Sequence, residues 1–552
     1  MLISKLLQTM KTKKILYTAL IIALPFVWTS CSDLLDVEPN DVITKENFYK
    51  SESDFQAATG PLYNKVWFDF NDKFYYGLGD GRANNLYAPY SDYVYPFTDL
   101  SETGLTGPLV SAWASLYNVV QQSNNVIIGI SDSDVKETIK NKYIAEARFM
   151  RGTAYWYLAS LWGNVIISTD PKDLVKNPIV NTNPTKDVYE FAIRDLEYAA
   201  KYLPETAGQA GRLTKYSAYG MLSRVYLSFS GISDNPNSGT RNQAYLDLAK
   251  KAAEKVITQG PYKLMAKYED LYKIENNNNL ESMFALQWVP NGDYGVTNTQ
   301  QAYFALGSDI TGDDTGWGYW TRASYNVLQE YETKDLRRRS TWMADDDFYP
   351  EINKSNGGYT VDHTNDFLTV KKGVVGSTKD NASISRMNSS LNTYMLRFGE
   401  VILNYAEATL GNNASTTDGM AIAGVNALRL RAGLDAKTTL TYADIIHERR
   451  VELCMEGQYW YDLVRRSYYK QQEVINYITG QNRGTVVPIL YDNVNNKVSI
   501  DETKSNSSRS IGVIDATIFL LPYPESELIQ NPLLRENPVP YEFKEEKIKD
   551  LF

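Results

Sequence analysis

AEARFMRGTAYWYLASLWGNV, residues 145–165, is the centre of the longest periodic segment in the chain. From about residue 134 to 162, Ile139, Tyr143, Ala147, Met150, Ala154, Leu158 and Leu161 recur at three-to-four spacing, which is the period of a helix rather than a strand. Gly163 stands where a left-handed residue closes a helix. The pattern repeats outward in both directions. Upstream, residues 108–130 carry Trp113, Leu116, Tyr117, Val120, Ile127 and Ile128, and DFQAATGPLYNKVW puts Phe55, Ala58, Leu62 and Val66 on one face. Downstream, helices are expected near 185–203 with Pro204 as the stop, near 214–229 with Thr214 as N-cap, and near 242–259 before Gly260-Pro261. Helices of this length joined by short turns resemble degenerate tetratricopeptide pairs, whose period is about 34 residues. An irregular helical bundle is the alternative. The chain is therefore expected to be mostly α.

Between residues 262 and 391 the helical period is lost, and Gly, Asn, Asp and aromatic residues crowd together. FALQWV suggests a short strand; the remainder reads as long ordered loops, which rarely persist at that length without a function. Helices resume at about 392 with YMLRFGEVILNYAEATLG, GMAIAGVNALRLRAGL and ADIIHERRVELCMEGQYWYDLVRRS. In HERRVELCMEG, Glu448, Arg449, Arg450, Glu452 and Glu456 interleave with Val451 and Leu453, a spacing suited to i, i+4 pairs and buried helix-to-helix bridges. The layout expected is a leader over 1–30 and one unit over 31–552. That unit divides into a helical part (31–261), a loop-rich aromatic insert (262–391) and C-terminal helices with a tail (392–552).

The N-terminus reads as an address. Lys11, Lys13 and Lys14 precede an apolar run from Ile15 to Trp28, then Thr29, Ser30 and Cys31. That is a signal peptide, its apolar run being too short to span a bilayer. Cys31 is placed to be acylated as the first mature residue; cleavage elsewhere, leaving it free, is the alternative. With Cys31 acylated, Cys454, the other of two cysteines, has no disulfide partner and suits a small buried hydrophobe. The formal charge of −10 speaks against a nucleic-acid partner.

With two histidines, His363 and His447, the chain has no histidine cluster for a metal, and no nucleophile elbow, P-loop or GxGxxG is present. No cofactor, metal or catalytic residue is expected. Aromatic enrichment stands out instead, with 41 Tyr and 10 Trp. Sugars present flat C–H patches edged by hydroxyls, so a sugar site needs an aromatic plate rimmed by amides, carboxylates or guanidiniums. Two stretches hold both halves: FDFNDKFYYGLGDGRANNLYAPYSDYVYPF (68–97), and the segment with Trp288, Tyr294, Asp313, Asp314, Trp317, Tyr319 and Trp320. Read as two loop regions converging on one shallow face, they nominate Trp67, Arg82, Asn84, Asn85, Tyr87, Tyr294, Trp317 and Trp320 as ligand-binding residues. A glycoside hydrolase needs only two separated carboxylates and is a weaker reading. A scaffold for a protein partner is a third.

Seven stretches, in order, carry a resemblance: SCSDLLDVEPNDVITKENFY, AEARFMRGTAYWYLASLWGNV, DVYEFAIRDLEYAAKYLP, LTKYSAYGMLSRVYLSFSG, YMLRFGEVILNYAEATLG with VNALRLRAGL, HERRVELCMEGQYWYDLVR, and LLPYPESELIQNPLLRENP. Together they resemble the SusD/RagB-like family of outer-membrane nutrient-binding lipoproteins. Gly399, Gln458 and the ending ENPVPY depart from its pattern, all in structural motifs. The resemblance implies a lipid-anchored surface protein that binds oligosaccharide without cleaving it and passes it to a TonB-dependent, SusC-like outer-membrane transporter. Some RagB-like members take peptide instead. In that picture the tetratricopeptide half faces the transporter and the loop-rich half faces ligand.

If Cys31 carries the anchor, Cys31→Ala is expected to move the protein from outer membranes to the soluble fraction, since an acyl anchor supplies binding that an acidic body lacks. Fractionation of wild type and variant in high salt measures this.

Overall fold

The computed structural model describes residues 48–552 except 90, 92, 313–315, 363–366, 484, 487, 505, 506, 546 and 549. The leader, Cys31 and His363 lie outside the described residues. Ser51–Phe552 form one compact unit.

Its longer helices are α1 (Glu52–Thr59), α2 (Gly107–Ser131), α3 (Glu137–Trp162), α4 (Thr185–Tyr202), α5 (Lys215–Ser230), α6 (Gln243–Gln259), α7 (Phe398–Leu410), α8 (Gly419–Arg431), α9 (Tyr442–Glu452) and α10 (Tyr459–Thr479, broken at Lys470). From α2 to α8 each packs on the one before it, and α6 packs directly on α7 although some 140 residues separate them. The order matches the expected helical pairs. Thr214 caps α5 through a reciprocal bond with Ser217, and Gly163 ends α3 at φ +72°. α3 is buried on all sides over Tyr143–Trp162, its apolar residues in the core and its charges, Glu146, Arg148 and Arg151, each paired. Gly152 lets α4 approach it: a Cβ there would stand 3.0 Å from the Ala192 carbonyl oxygen. At that crossing Asp195 of α4 accepts from Arg148 Nε (2.7 Å) and from Arg151 Nε (2.7 Å) and Nη2 (2.8 Å).

Four expectations are corrected. The DFQAATGPLYNKVW helix stops at Thr59 and continues as 3-10 turns, because Gly60-Pro61 interrupts it. Residues 393–397 form a strand, fully buried and paired antiparallel with Ser282–Leu286, so the helix begins only at Phe398. The HERRVELC helix ends at Glu452, and α10 starts after a turn in which Met455 and Gly457 have positive φ. Cys454 therefore sits in that turn, fully buried, its thiol pushed up to about 12 by desolvation.

The fourth correction concerns residues 68–82. They are not a loop but a helix wound largely in π turns, Phe70–Phe74 and Gly77–Arg82, threaded through the core. Gly79 makes this possible, since a Cβ would meet the Gly457 carbonyl oxygen at 2.2 Å. Asp80 bolts the segment down by accepting from Asn85 Nδ2 (3.0 Å) and from the amides of Met455 and Gly457 (2.8 Å each). Burial raises its pKa to about 6 against these bonds.

The core is also ionic. Arg397 reaches Glu281 (3.1 Å), Glu452 (2.8 Å) and Glu456 (2.8 Å), while Arg431 meets Glu281 and Glu452. Arg337 meets Asp335 (2.8 Å), Glu448 and Glu452 (3.0 Å). A second cluster joins Glu400 to Arg224 and Arg449, and Glu407 to Arg241 and Arg465. The HERRVELCMEG charges thus bridge between elements. Burial alone would raise Glu400 and Glu407, but the facing guanidiniums outweigh it and hold both near 2.

Because these folded-state values lie below the unfolded value of about 4.3, the stability they confer is complete above that pH and lost as pH falls through about 2. Urea unfolding followed from pH 7 to pH 2 is expected to show its steepest loss in this window. Glu407→Gln is expected to cost about 3–5 kcal/mol at neutral pH, by stranding Arg241 and Arg465, and to flatten that acid slope.

Candidate functional site

The π-wound segment delivers Phe68, Asp72 and Lys73 to one side of the fold. Lys73 pairs with Asp72, and its ammonium lies 5.1 Å from the ring centroids of both Tyr93 and Tyr303. Burial works against the charged amine, but the Asp72 carboxylate outweighs it and raises its pKa above the ordinary lysine value. Asp72 in turn accepts from Thr299 Oγ1 and, at 3.5 Å, from the Tyr294 hydroxyl. Tyr294 stands edge-on to Phe68 (4.7 Å between centroids) and remains 65% exposed. Tyr303 lies 5.5 Å from Trp317, and the Arg386 guanidinium lies 4.9 Å over the Trp317 ring. Tyr93 is 53% exposed, whereas Tyr303, Trp317, Lys73 and Arg386 are half-buried. The result is a shallow face of four rings with a carboxylate, an ammonium and a guanidinium among them. The charged groups fix the rings from beneath and beside, leaving aromatic surface toward solvent.

Of the residues nominated from sequence, Tyr294 and Trp317 belong to this face. Trp320 follows in the one-turn helix Gly318–Trp320; its side chain lies outside what the structure describes. Tyr87 is half-buried in a two-residue strand paired with Arg322–Ala323, its ring 5.0 Å from the Arg509 guanidinium.

The other four are interior. Trp67 has no exposed surface, donates its Nε1 to the Leu62 carbonyl (2.9 Å) and packs edge-on against Phe70, Tyr157 and Phe284. Arg82 is pinned by Glu102 and the Ile518 carbonyl and stacks 4.6 Å from Trp460. Asn85 bridges Asp80 and Arg450 (2.8 Å). Asn84, at φ +61°, accepts at its carbonyl from Ser324 Oγ (2.6 Å) and Arg450 Nη2 (3.2 Å). All four are buried and hydrogen-bonded inside the protein, where they shape the scaffold beneath the face.

Sequence reasoning passed over Tyr93, Tyr303, Lys73 and Arg386. Tyr93 lies within the aromatic stretch already singled out. Lys73 lies in the same stretch, but neither it nor Tyr303 carried a sign of the other, because the pairing that brings them together spans 230 residues.

His447 joins Glu330 (2.8 Å) and Glu332 (3.6 Å), a structural setting in which Glu330, against the desolvation of the ring, raises the imidazole pKa. Among the described residues no cluster of three His, Cys, Asp or Glu side chains is arranged to hold a metal ion. No helix among them is long and apolar enough to cross a membrane.

Residues 264–539 match the SusD family, and residues 90–227 match a family described as "Starch-binding associating with outer membrane". A SusD-like protein of Bacteroides ovatus is 39% identical, the match covering 94% of this chain and 97% of that protein. A crystal structure holding a xylogluco-oligosaccharide is 40% identical with TM-score 0.82, covering 89% of this chain and all of the other. A laminarin-binding SusD-like protein shares the fold at TM-score 0.67 and 22% identity, covering 88% and 98%. The chain belongs to the SusD family, a family of carbohydrate-binding proteins associated with the outer membrane.

Trp67→Ala is expected to lower stability by about 3–5 kcal/mol, as large core truncations do, while leaving the ligand affinity of the folded fraction unchanged. Urea melts and calorimetry on the same preparation separate the two.

Proposed function

We propose that this chain is a surface glycan-binding lipoprotein: it captures an oligosaccharide on the Tyr93, Tyr294, Tyr303 and Trp317 face and delivers it, uncleaved, to a TonB-dependent, SusC-like transporter. The observation that carries the reading is that face. Four aromatic rings from three separate segments are oriented by buried or half-buried charges, with open surface toward solvent. A glycan chain laid across it would stack its C–H patches on the rings and offer hydroxyls to the half-buried Lys73 and Arg386 at their side. A shallow face binds one side of an extended chain and leaves its ends free, which suits a polymer in transit. The xylogluco-oligosaccharide held by the 40% identical relative supports glycan as the ligand class.

Asp72, the carboxylate in contact with these rings, is engaged by Lys73, Thr299 and Tyr294, which suits it to hold the face in place. Anchoring through Cys31 would hold the face outside the cell, and the stacked helices α2–α8 offer a rigid surface for the transporter.

Tyr303→Ala with Trp317→Ala removes two plates worth about 0.5–1.5 kcal/mol each, so affinity is expected to fall roughly 5- to 150-fold. Retardation in gels cast with xyloglucan, β-glucan, starch or casein, with chromatography of soluble oligosaccharides after long incubation, measures this. Unchanged retardation of the double variant, release of cleaved product, or retention by casein alone would each overturn the reading.

A further inference from the structure

A cavity of about 280 Å³ opens between the turns of residues 268–276, the end of the Arg337–Thr341 helix and the loops of 349–384, and it shares no lining residue with the aromatic face. At its wall the Lys371 ammonium contacts Glu351 at 3.3 Å and the Val374 carbonyl at 3.2 Å. An ammonium has three N–H donors. Among the described residues two oxygens are contacted, and both distances are longer than the usual 2.7–2.9 Å of charge-assisted bonds. Desolvation accordingly pulls Lys371 below the ordinary lysine pKa. The buried Tyr349 ring forms a second wall, held between Arg339 (5.2 Å) and Lys371 (5.3 Å). Val374, Val375 and Ile384 supply apolar surface. Asp380 is spent on the loop itself, accepting from the amides of Asn353 (3.1 Å), Lys354 (2.8 Å) and Ser377 (3.0 Å), so the cavity is a built shape.

We propose that this cavity is a second sugar site, taking a single neutral pyranose at a chain end or side branch. A hydroxyl both donates and accepts, so two adjacent hydroxyls match the loosely joined Lys371 and Glu351, one receiving the spare N–H and the other donating to the carboxylate. The sugar ring's C–H surface meets the aliphatic wall of Val374, Val375 and Ile384. Four cationic and four acidic side chains line the cavity, and this balance favours a neutral ligand over a charged one. Its volume lies just below the roughly 300–1,000 Å³ of drug-sized sites, suiting one or two rings and not a chain. The ligand class rests on the glycan reading above, but the site does not depend on the aromatic face.

Saturation-transfer NMR on the full mature chain, with methyl β-glucopyranoside, methyl α-xylopyranoside, methyl β-galactopyranoside and glucuronate as probes, tests it. At least one neutral glycoside is expected to give a saturable signal that drops at least tenfold in Lys371→Met and in Val375→Phe, the latter filling the cavity without removing a charge. The same signal is expected to persist in the Tyr303→Ala, Trp317→Ala double variant. If Lys371→Met does not fold, Val375→Phe decides alone. No binding of any neutral probe, signal surviving in a folded Val375→Phe, or preference for glucuronate would overturn the proposal. Loss of the monosaccharide signal in the double variant, with polysaccharide binding, would assign it to the aromatic face. Monosaccharide binding in a protein that retains no polysaccharide would leave the cavity standing and remove the face.

Discussion

Glu452 is the residue on which most of the architecture converges. It is completely buried, and Arg337, Arg397 and Arg431 all reach its two oxygens. Those cations come from the loop-rich insert, the strand before α7 and the end of α8, so one carboxylate ties three distant segments to α9. A lone buried carboxylate would be driven to its neutral form; here the guanidiniums overcome the desolvation and depress its pKa. Apolar contact is non-directional and would let helices slide on one another. Bonds between planar guanidiniums and carboxylates hold them in one register.

The aromatic face uses the same device on a smaller scale. Asp72 and Lys73 are set on a segment whose π turns and close glycine contact leave it little freedom, and their charges orient Tyr93, Tyr294 and Tyr303. Ordering a side chain on binding costs about 0.5–1.5 kcal/mol. Rings already held by charge and edge contact avoid much of that cost, which matters where each plate contributes little more.

The helical body was legible because its signals are local. Thr214, Pro204, Gly163 and the three-to-four spacing of apolar residues mark ends and faces within a few positions of themselves. The interior around residues 67–87 was not. Gly77, Gly79 and Gly81 read as loop, whereas they line a tightly packed helix, Gly79 against a turn nearly 380 residues away and the other two against Phe97 and Thr98. For the same reason Arg82, Asn84 and Asn85 looked like a polar rim, although Glu102, Ile518, Ser324 and Arg450 absorb their hydrogen bonds. Trp67 beside that stretch carried no sign of the Phe70, Tyr157 and Phe284 rings that enclose it. Tyr294 and Trp317 keep some ring surface open, as aromatics in Gly- and Asp-rich sequence with few apolar neighbours to bury against do. Strand 393–397 was missed because all five of its side chains are buried, which erases the alternation that betrays a half-buried strand.

The direct packing of α6 on α7 means that the chain between them leaves and re-enters the helical stack at neighbouring points. Segments with that topology behave as cassettes: their length and composition can drift while the stack keeps its geometry. The cassette here carries Tyr294, Tyr303, Trp317 and the cavity, yet it is fastened below by Glu281, Arg337 and Lys372 to charges of the C-terminal part. Lineages exchanging one recognition surface for another are thus free to rewrite the outer loops wholesale, provided those three buried anchors travel with them.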